Sequence, residues 1–449
     1  MRVLFNCWPF EGHTFNSVAV ANALRDRGHE VAFYTGTDLQ PILEAQGLQV
    51  FPFRRLTSDH WLQVHDSESK VTKRGQSFRV EHQTFRKWLV ESIPYQVDDL
   101  IEIVGEWQPD VLVSDVTMWG PITVLHDLGI VPVAITPWIL GPLIPGPDVP
   151  AWGFGLAPPH TLPQKVLRAT LNKATDLVAT GVRRRVDQIR ATYGLPPLGC
   201  SINESTARLP LFIVGNIREL DYNRQDLPPS VQYVGPCMWH PPEPAGTKDW
   251  LDTIPADRPW VHVTEGTSHK HQEPFVLKAA AQGLAGRELE LLLTTGRSRN
   301  PEDLGLTGLS NNVHVTQWLS HTDLLPRCSA LVTIGGASTI MAGLCAGVPL
   351  VIVPTTWDKP DNARRIVDAG AAIRLSPKRC TPEGVRTAVE EILNNPQYRH
   401  NARRIADKLA DANGPVAAAD QLERLASTPR TAPTQRGMNV TVIRGGIHS

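Results

Sequence analysis

The chain has 449 residues, 41% hydrophobic and 20% charged, with a formal net charge of −1. That length suits two domains with sizeable cores rather than one, and the near-neutral charge excludes a strong field toward nucleic acid or an anionic membrane. Six scattered cysteines (Cys7, Cys200, Cys237, Cys328, Cys345, Cys380) without CxxC spacing argue against a disulfide framework or zinc site, and fit a reducing cytoplasm as the expected location.

"MRVLFNCWPFEGH" runs straight into a strand, and its apolar stretch is too short and interrupted for a signal peptide. No run approaches the ~20 apolar residues a spanning helix needs. The Asn-x-Ser/Thr matches at Asn203 and Asn439 are therefore expected to be chance. "RVLFNC" reads as a strand. "SVAVANALRDRG" sets Val18, Ala21 and Leu24 on one helical face, with Gly28 as the stop. "EVAFYT", "PDVLVSD" and "VPVAITP" are further strands separated by helix-length segments. This alternation predicts a parallel sheet covered by helices. "GPCMWHPPEPAGTKDW", residues 235–250, reads as a linker, with four prolines and two glycines. The pattern then restarts with "PWVHVTEGT", "ELELLLTT", "NVHVTQW", "ALVTIGG" and "VPLVIVP". The expected organisation is α/β, with two Rossmann-like doubly wound domains, 1–240 and 241–427, facing a central cleft. A tail, 428–449, is expected to be mobile, with "NVTVI" open to an edge-strand role. Ligands of such sheets bind beyond the carboxyl ends of the strands.

"TIGGASTIM" joins a strand to a helix. Gly335 and Gly336 allow close backbone approach, the helix start leaves N–H groups unpaired, and Ser338 and Thr339 add hydroxyls. A pyrophosphate would be stabilised there; tight strand-to-helix packing is the bland alternative. One strand later, "WDKPDNARR" puts Asp358 at a strand end, where a carboxylate can accept hydrogen bonds from sugar hydroxyls. Asn362 and Arg365 are expected to open a helix. The bland alternative is a solvated loop before a capped helix.

Trp318, "IGGAST", "GVPLVIVP", "WDKPDNARR" and "DAGAAIRL" follow one another in an order and spacing that resemble the family-one glycosyltransferases of the GT-B fold, the macrolide and natural-product type. The resemblance covers residues 1 to about 427 and implies transfer of a sugar from a nucleotide diphosphate. By analogy Trp318 stacks on the nucleobase, an interaction of about 1–3 kcal/mol, with a core tryptophan as the less favoured alternative. His321 matches a position near the base edge. "HVTEGTSHK" places Gly266 and Thr267 near the phosphates, and Asp358 binds the donor sugar. Two positions depart from the pattern: Ile334 replaces the turn histidine that bonds a donor phosphate, and Lys359 replaces the glutamine after the aspartate. Lys359 brings a positive charge, so partial compensation stands beside a changed donor or weakened donor binding as the open alternatives.

His13 follows the first strand and is read as a loop residue facing the cleft. Removing a proton from an attacking hydroxyl suits a histidine with pKa near ~6.5, more so if a carboxylate holds its other nitrogen. Asp115 ends another predicted strand, and the family's His–Asp pair maps onto His13 and Asp115, with Asn16 where the family has proline. The resemblance implies single displacement with inversion and no metal. "SDHW" and "HDSES" hold acids and histidines but read as solvated loop. Trp8, Trp119 and Trp138, with the Pro/Gly-rich segment 137–159, are the acceptor-side candidates, core packing being their alternative. The run Arg183–Arg185 reads as an exposed helix face. The expected function is an inverting glycosyltransferase using UDP-glucose or a dTDP-deoxysugar and an apolar or aromatic acceptor, without a resident cofactor, acting as monomer or homodimer. The rivals are a non-catalytic GT-B protein with a degenerate donor site and a sugar-nucleotide epimerase.

Overall fold

A computed structural model describes residues 1–57, 85–136, 140–242, 247–266, 273–297, 299–306 and 308–429. The first sheet contains β1 (Arg2–Asn6), β2 (Glu30–Thr35), β3 (Gln49–Pro52), β4 (Val111–Ser114), β5 (Val133–Ile135), β6 (Leu211–Val214) and β7 (Val231–Tyr233). Its order is β3-β2-β1-β4-β5-β6-β7 and every pairing is parallel. The second contains β8 (Trp260–Thr264), β9 (Glu290–Thr294), β10 (Val313–Thr316), β11 (Cys328–Thr333), β12 (Leu350–Ile352) and β13 (Ala372–Arg374). Its order is β10-β9-β8-β11-β12-β13, again all parallel.

The strands are apolar on both faces because helices cover both. In β1 and β4, Leu4 and Leu112 enter one core while Val3, Phe5, Val111 and Val113 enter the other, the alternation a pleated strand imposes. In the second sheet Leu331 and Leu350 face one core, Val332 and Val351 the other. Strand order reverses at β1/β4 and at β8/β11, and those reversals open the crevices where ligands of such sheets sit. No helix of the described residues is long and apolar enough to cross a membrane. The run Arg183–Arg185 lies within the helix Leu162–Thr192, where Arg184 is exposed and Arg185 pairs with Glu91 at 2.7 Å.

The last helix, Gly414–Ser427, falls within the range read as the second domain, yet it packs on the helix α1 (Glu11–Asp26) of the first. Ala418, Ala419 and Leu422 join Val18, Ala21 and Leu24 in one core. Arg27 pairs with Asp420 at 2.8 Å and Glu423 at 3.0 Å, and His29 with Glu423 at 2.7 Å. An apolar helix face shows in sequence that something covers it, not what. From residue 430 on, the expected tail lies outside the described residues.

A second contact between the domains is charged. Arg365 Nε donates to Asp221 Oδ1 at 2.8 Å, and Tyr233 OH donates to Asp221 Oδ2 at 2.5 Å. The Arg365 guanidinium lies 4.3 Å from the centre of the Tyr222 ring. Where the linker meets the second domain, His321 packs between His262 and His240, with ring centres 5.5 and 5.9 Å away. Burial pushes His262 down to about 4 and lowers His321 and His240 as well. These rings are held neutral when folded and take up protons more readily when unfolded. Their contribution is therefore present above pH ~6.5 and lost as pH falls toward 4, by ~3 kcal/mol for His262 alone. The thermal midpoint is expected to fall steadily between pH 7 and 5, with His262→Gln flattening the slope; an unchanged slope would show that His262 does not contribute.

Candidate active site

His13 is the third residue of α1, not a loop residue as read from the sequence. The turn closes through His13 N donating to Phe10 O at 3.0 Å. Phe10 supplies no capping side chain and Gly12 is a poor helix former, so the start carried no signal in the sequence. His13 Nδ1 lies 2.6 Å from Asp115 Oδ2. Asp115 is fully buried at the end of β4, and its other oxygen accepts Thr117 N and Thr117 Oγ1, each at 2.8 Å. A pinned carboxylate that accepts a hydrogen bond from Nδ1–H fixes the tautomer in which Nε2 is the basic nitrogen. The two residues flank the strand reversal of the first sheet.

Across the cleft, β11 runs into Gly335 and Gly336, which open α2 (Ala337–Cys345). Gly335 has φ +96°, and a Cβ there would come within 3.0 Å of Ile352 Cγ2, so glycine is required. At Gly336 an added Cβ would meet nothing within 4 Å, which leaves open space before the helix start. The first helical acceptor bond is Ile340 N to Gly336 O at 3.0 Å, so the N–H groups of Ala337, Ser338 and Thr339 have no intrahelical acceptor. Ile334 is 3% exposed and belongs to the core behind the turn.

Lys359 begins α3 (Lys359–Asp368) with its backbone against Gly335, whose added Cβ would lie 3.3 Å from Lys359 Cβ. Lys359 is 8% exposed, and among the described residues its ammonium has no ion-pair or hydrogen-bond partner. An anion at the adjacent helix start would give that ammonium a partner. Asp358 Oδ2 accepts Asn362 Nδ2 at 2.7 Å, and the same nitrogen donates to Gly335 O at 3.1 Å. Asn362, expected only to open a helix, therefore locks the carboxylate to the glycine turn.

The remaining sequence candidates are distributed as follows. Gly266 follows β8 with φ +78° and is half-buried; Thr267 lies outside the described residues. Trp318, after β10, is half-buried with Arg297 Cζ 4.2 Å from its ring centre. Arg297 also reaches Glu11 Oε1 at 3.7 Å. Burial raises the Glu11 carboxyl, and Arg297 offsets part of that rise. His321 opens a short helix inside the histidine cluster. Trp8 and Trp119 are 3% and 4% exposed within the first domain's core, so the packing alternative describes both. Trp138 and the segments "SDHW" and "HDSES" lie outside the described residues. Among the described residues no group of three acidic, histidine or cysteine side chains is placed to hold a metal ion.

The two halves touch at the site itself. Asn16 Nδ2 donates to Ser338 Oγ at 3.2 Å, and Ser338 Oγ to Gly12 O at 3.5 Å. The first turn of α1, which carries His13, thus abuts the first turn of α2. Sequence reading did not find these partners, because a contact between side chains 322 residues apart has no local signature.

Two parallel α/β domains, with a histidine–carboxylate pair on one and an open glycine turn on the other, define a GT-B architecture. Residues 288–425 match the family model for the erythromycin biosynthesis protein CIII-like C-terminal domain. The chain is 31% identical to 4'-demethylrebeccamycin synthase of Lentzea aerocolonigenes, over 94% of this chain and 99% of that protein. It is 27% identical to 10-deoxymethynolide desosaminyltransferase of Streptomyces venezuelae, over 96% and 99%. In fold it is similar to the calicheamicin glycosyltransferase (TM-score 0.72, 22% identity, covering 96% of this chain and 99% of that one). It is also similar to a spinosyn rhamnosyltransferase complexed with thymidine diphosphate (TM-score 0.68, 20% identity, covering 94% and 100%). The chain belongs to the GT-B glycosyltransferases of natural-product type.

Proposed function

We propose that the protein transfers a sugar from a nucleoside diphosphate to a hydroxyl of an apolar small-molecule acceptor, with inversion and without a metal. The observation that carries this reading is the 2.6 Å His13–Asp115 contact, set one helical turn from the Asn16–Ser338 bridge to the glycine turn. His13 Nε2 takes the acceptor's proton as its oxygen attacks the anomeric carbon from the face opposite the diphosphate. Asp115 stabilises the imidazolium that forms. The departing diphosphate is stabilised by the N–H groups of Ala337, Ser338 and Thr339, by the Thr339 hydroxyl and by Lys359. In this reading Gly266 serves the phosphates, Trp318 and His321 the base, and Asp358 the sugar. The donor is UDP-glucose or a dTDP-deoxysugar; the thymidine diphosphate bound by the spinosyn enzyme supports keeping the second.

The test is incubation with UDP- and dTDP-hexoses and a panel of aromatic and polyketide alcohols, reading diphosphate release and the anomeric configuration of the product. A product with retained configuration would overturn the mechanism. Conversion of the donor without acceptor or diphosphate release would indicate an epimerase. Absence of nucleotide binding by the folded protein would favour a non-catalytic role, the reading that Ile334 keeps in view.

Lys359 gives a separate prediction. Lys359→Met is expected to weaken UDP or dTDP binding by about 10- to 100-fold, the size of a charge-assisted hydrogen bond. Calorimetric titration reads the affinity; unchanged diphosphate affinity would remove Lys359 from the site.

A further inference from the structure

Among the described residues, two that are not glycine hold a left-handed backbone: Gln108 at φ 52° and Trp357 at φ 59°. Gln108 ends the helix Ile93–Trp107 and donates its N–H to Val104 O at 3.0 Å, an ordinary use of that conformation. Trp357 terminates no helix. It lies beyond the carboxyl end of β12, one residue before Asp358. For a bulky side chain this backbone is a genuine outlier, and such strain persists only where the surroundings over-determine it.

The surroundings here do so. Lys359 N donates to Thr356 O at 3.2 Å and Asn362 N to Asp358 O at 2.9 Å, which closes the turn around Trp357 and Asp358. Asp361, 5% exposed, accepts the N–H of Gly153 at 2.6 Å and of Gly155 at 2.8 Å. Arg374 Nη1 donates to Gly155 O at 2.6 Å. A Cβ on Gly153 would sit 3.7 Å from Trp357 O. The Pro/Gly-rich segment of the first domain thus clamps the loop that carries Trp357. The indole itself is half-buried, and among the described residues it has no aromatic, cationic or hydrogen-bonding partner. No such contact therefore accounts for a tryptophan at a position that glycine would fill without strain.

We infer that Trp357 is a donor-specificity residue whose indole, fixed beside Asp358, forms the platform for the apolar C–H face of the donor's sugar ring. Asp358 takes hydroxyls at the rim of that ring while the indole covers a face, so the two recognise different parts of one pyranose. The inference rests on the donor reading above and assigns the sugar, not the nucleotide, to Trp357.

The experiment titrates the full chain and its Trp357→Gly and Trp357→Ala variants with UDP, dTDP and their hexose-linked forms. In both variants the affinity of the sugar-linked form relative to the bare diphosphate is expected to fall about tenfold, with diphosphate affinity unchanged. Trp357→Gly is expected to unfold at a higher temperature than Trp357→Ala, because only glycine releases the backbone. An unchanged ratio in both variants would overturn the inference and leave the donor reading standing. Equal losses for diphosphate and sugar-linked form would overturn it too, by showing that Trp357 merely shapes the turn. If the wild-type protein bound neither diphosphate, the donor reading would fail and the inference with it.

Discussion

Replacing His13 with alanine is expected to slow sugar transfer by about 10²- to 10⁴-fold, the usual contribution of a positioned general base. Diphosphate affinity should stay within about twofold of wild type, since the nucleotide contacts proposed above belong to the other domain. The expectation rests on geometry. The His13 ring is held by a fully buried carboxylate that is itself pinned by two donors from Thr117. Deleting the imidazole therefore removes the proton acceptor. Asp115→Asn should also be slow, because an amide can present its N–H to Nδ1 and reverse the tautomer. Initial rates with a saturating donor, beside calorimetry with the diphosphate alone, separate chemistry from binding. A His13→Ala enzyme as fast as wild type would sink the mechanism while leaving the family assignment intact.

The largest stability effect is expected at Arg365. Its side chain is 9% exposed and that of Asp221 1%, so the pair sits almost wholly out of water between the domains. Burial alone would lower the Arg365 guanidinium; Asp221 first, with Tyr222 and Asp361, together reverse this and hold it above its ordinary value. Arg365→Met would leave the buried Asp221 carboxyl with Tyr233 as its remaining side-chain partner among the described residues, a loss of about 3–5 kcal/mol. The double variant Arg365→Met/Asp221→Leu should recover much of this, because replacing both members of a buried pair with apolar groups is often close to neutral. Unfolding midpoints in urea for the two variants make the comparison. If the single variant unfolded at the wild-type midpoint, the contact between the domains would be far wetter than its burial indicates.

Much of the fold was legible because each strand announced itself locally. Runs such as "VLVS" and "LVTI" are short, apolar and separated by helix-length segments, and parallel sheets demand that pattern. The glycine turn was legible for a related reason: Gly335 answers a backbone requirement that no other residue meets. His13 and Asp115 could be placed at strand ends, and the structure brings them together. The start of α1 was not legible, since Phe10 and Gly12 are poor markers of a helix N-terminus. Asn16 against Ser338, Glu11 with Arg297, and Asp361 with Gly153 and Gly155 were invisible, as each joins residues that only the docking of two domains makes neighbours. Trp357 escaped for the opposite reason. Its signal is a backbone angle, and the letters "TTWDK" do not encode it.

The helix that returns to α1 also bears on how the chain is born. His29 and Glu423 are 394 residues apart in sequence, yet they share one bond at the edge of the first domain's core. Val18, Ala21 and Leu24 receive their cover from Ala418, Ala419 and Leu422. While the chain is being synthesised, the domain that emerges first must wait, with one apolar face uncovered, until residues 414–427 have been added. Such long-range closure slows folding and exposes the waiting surface to aggregation. The amino-terminal half expressed alone should therefore precipitate or bind chaperone, and adding residues 414–427 in trans should render it soluble.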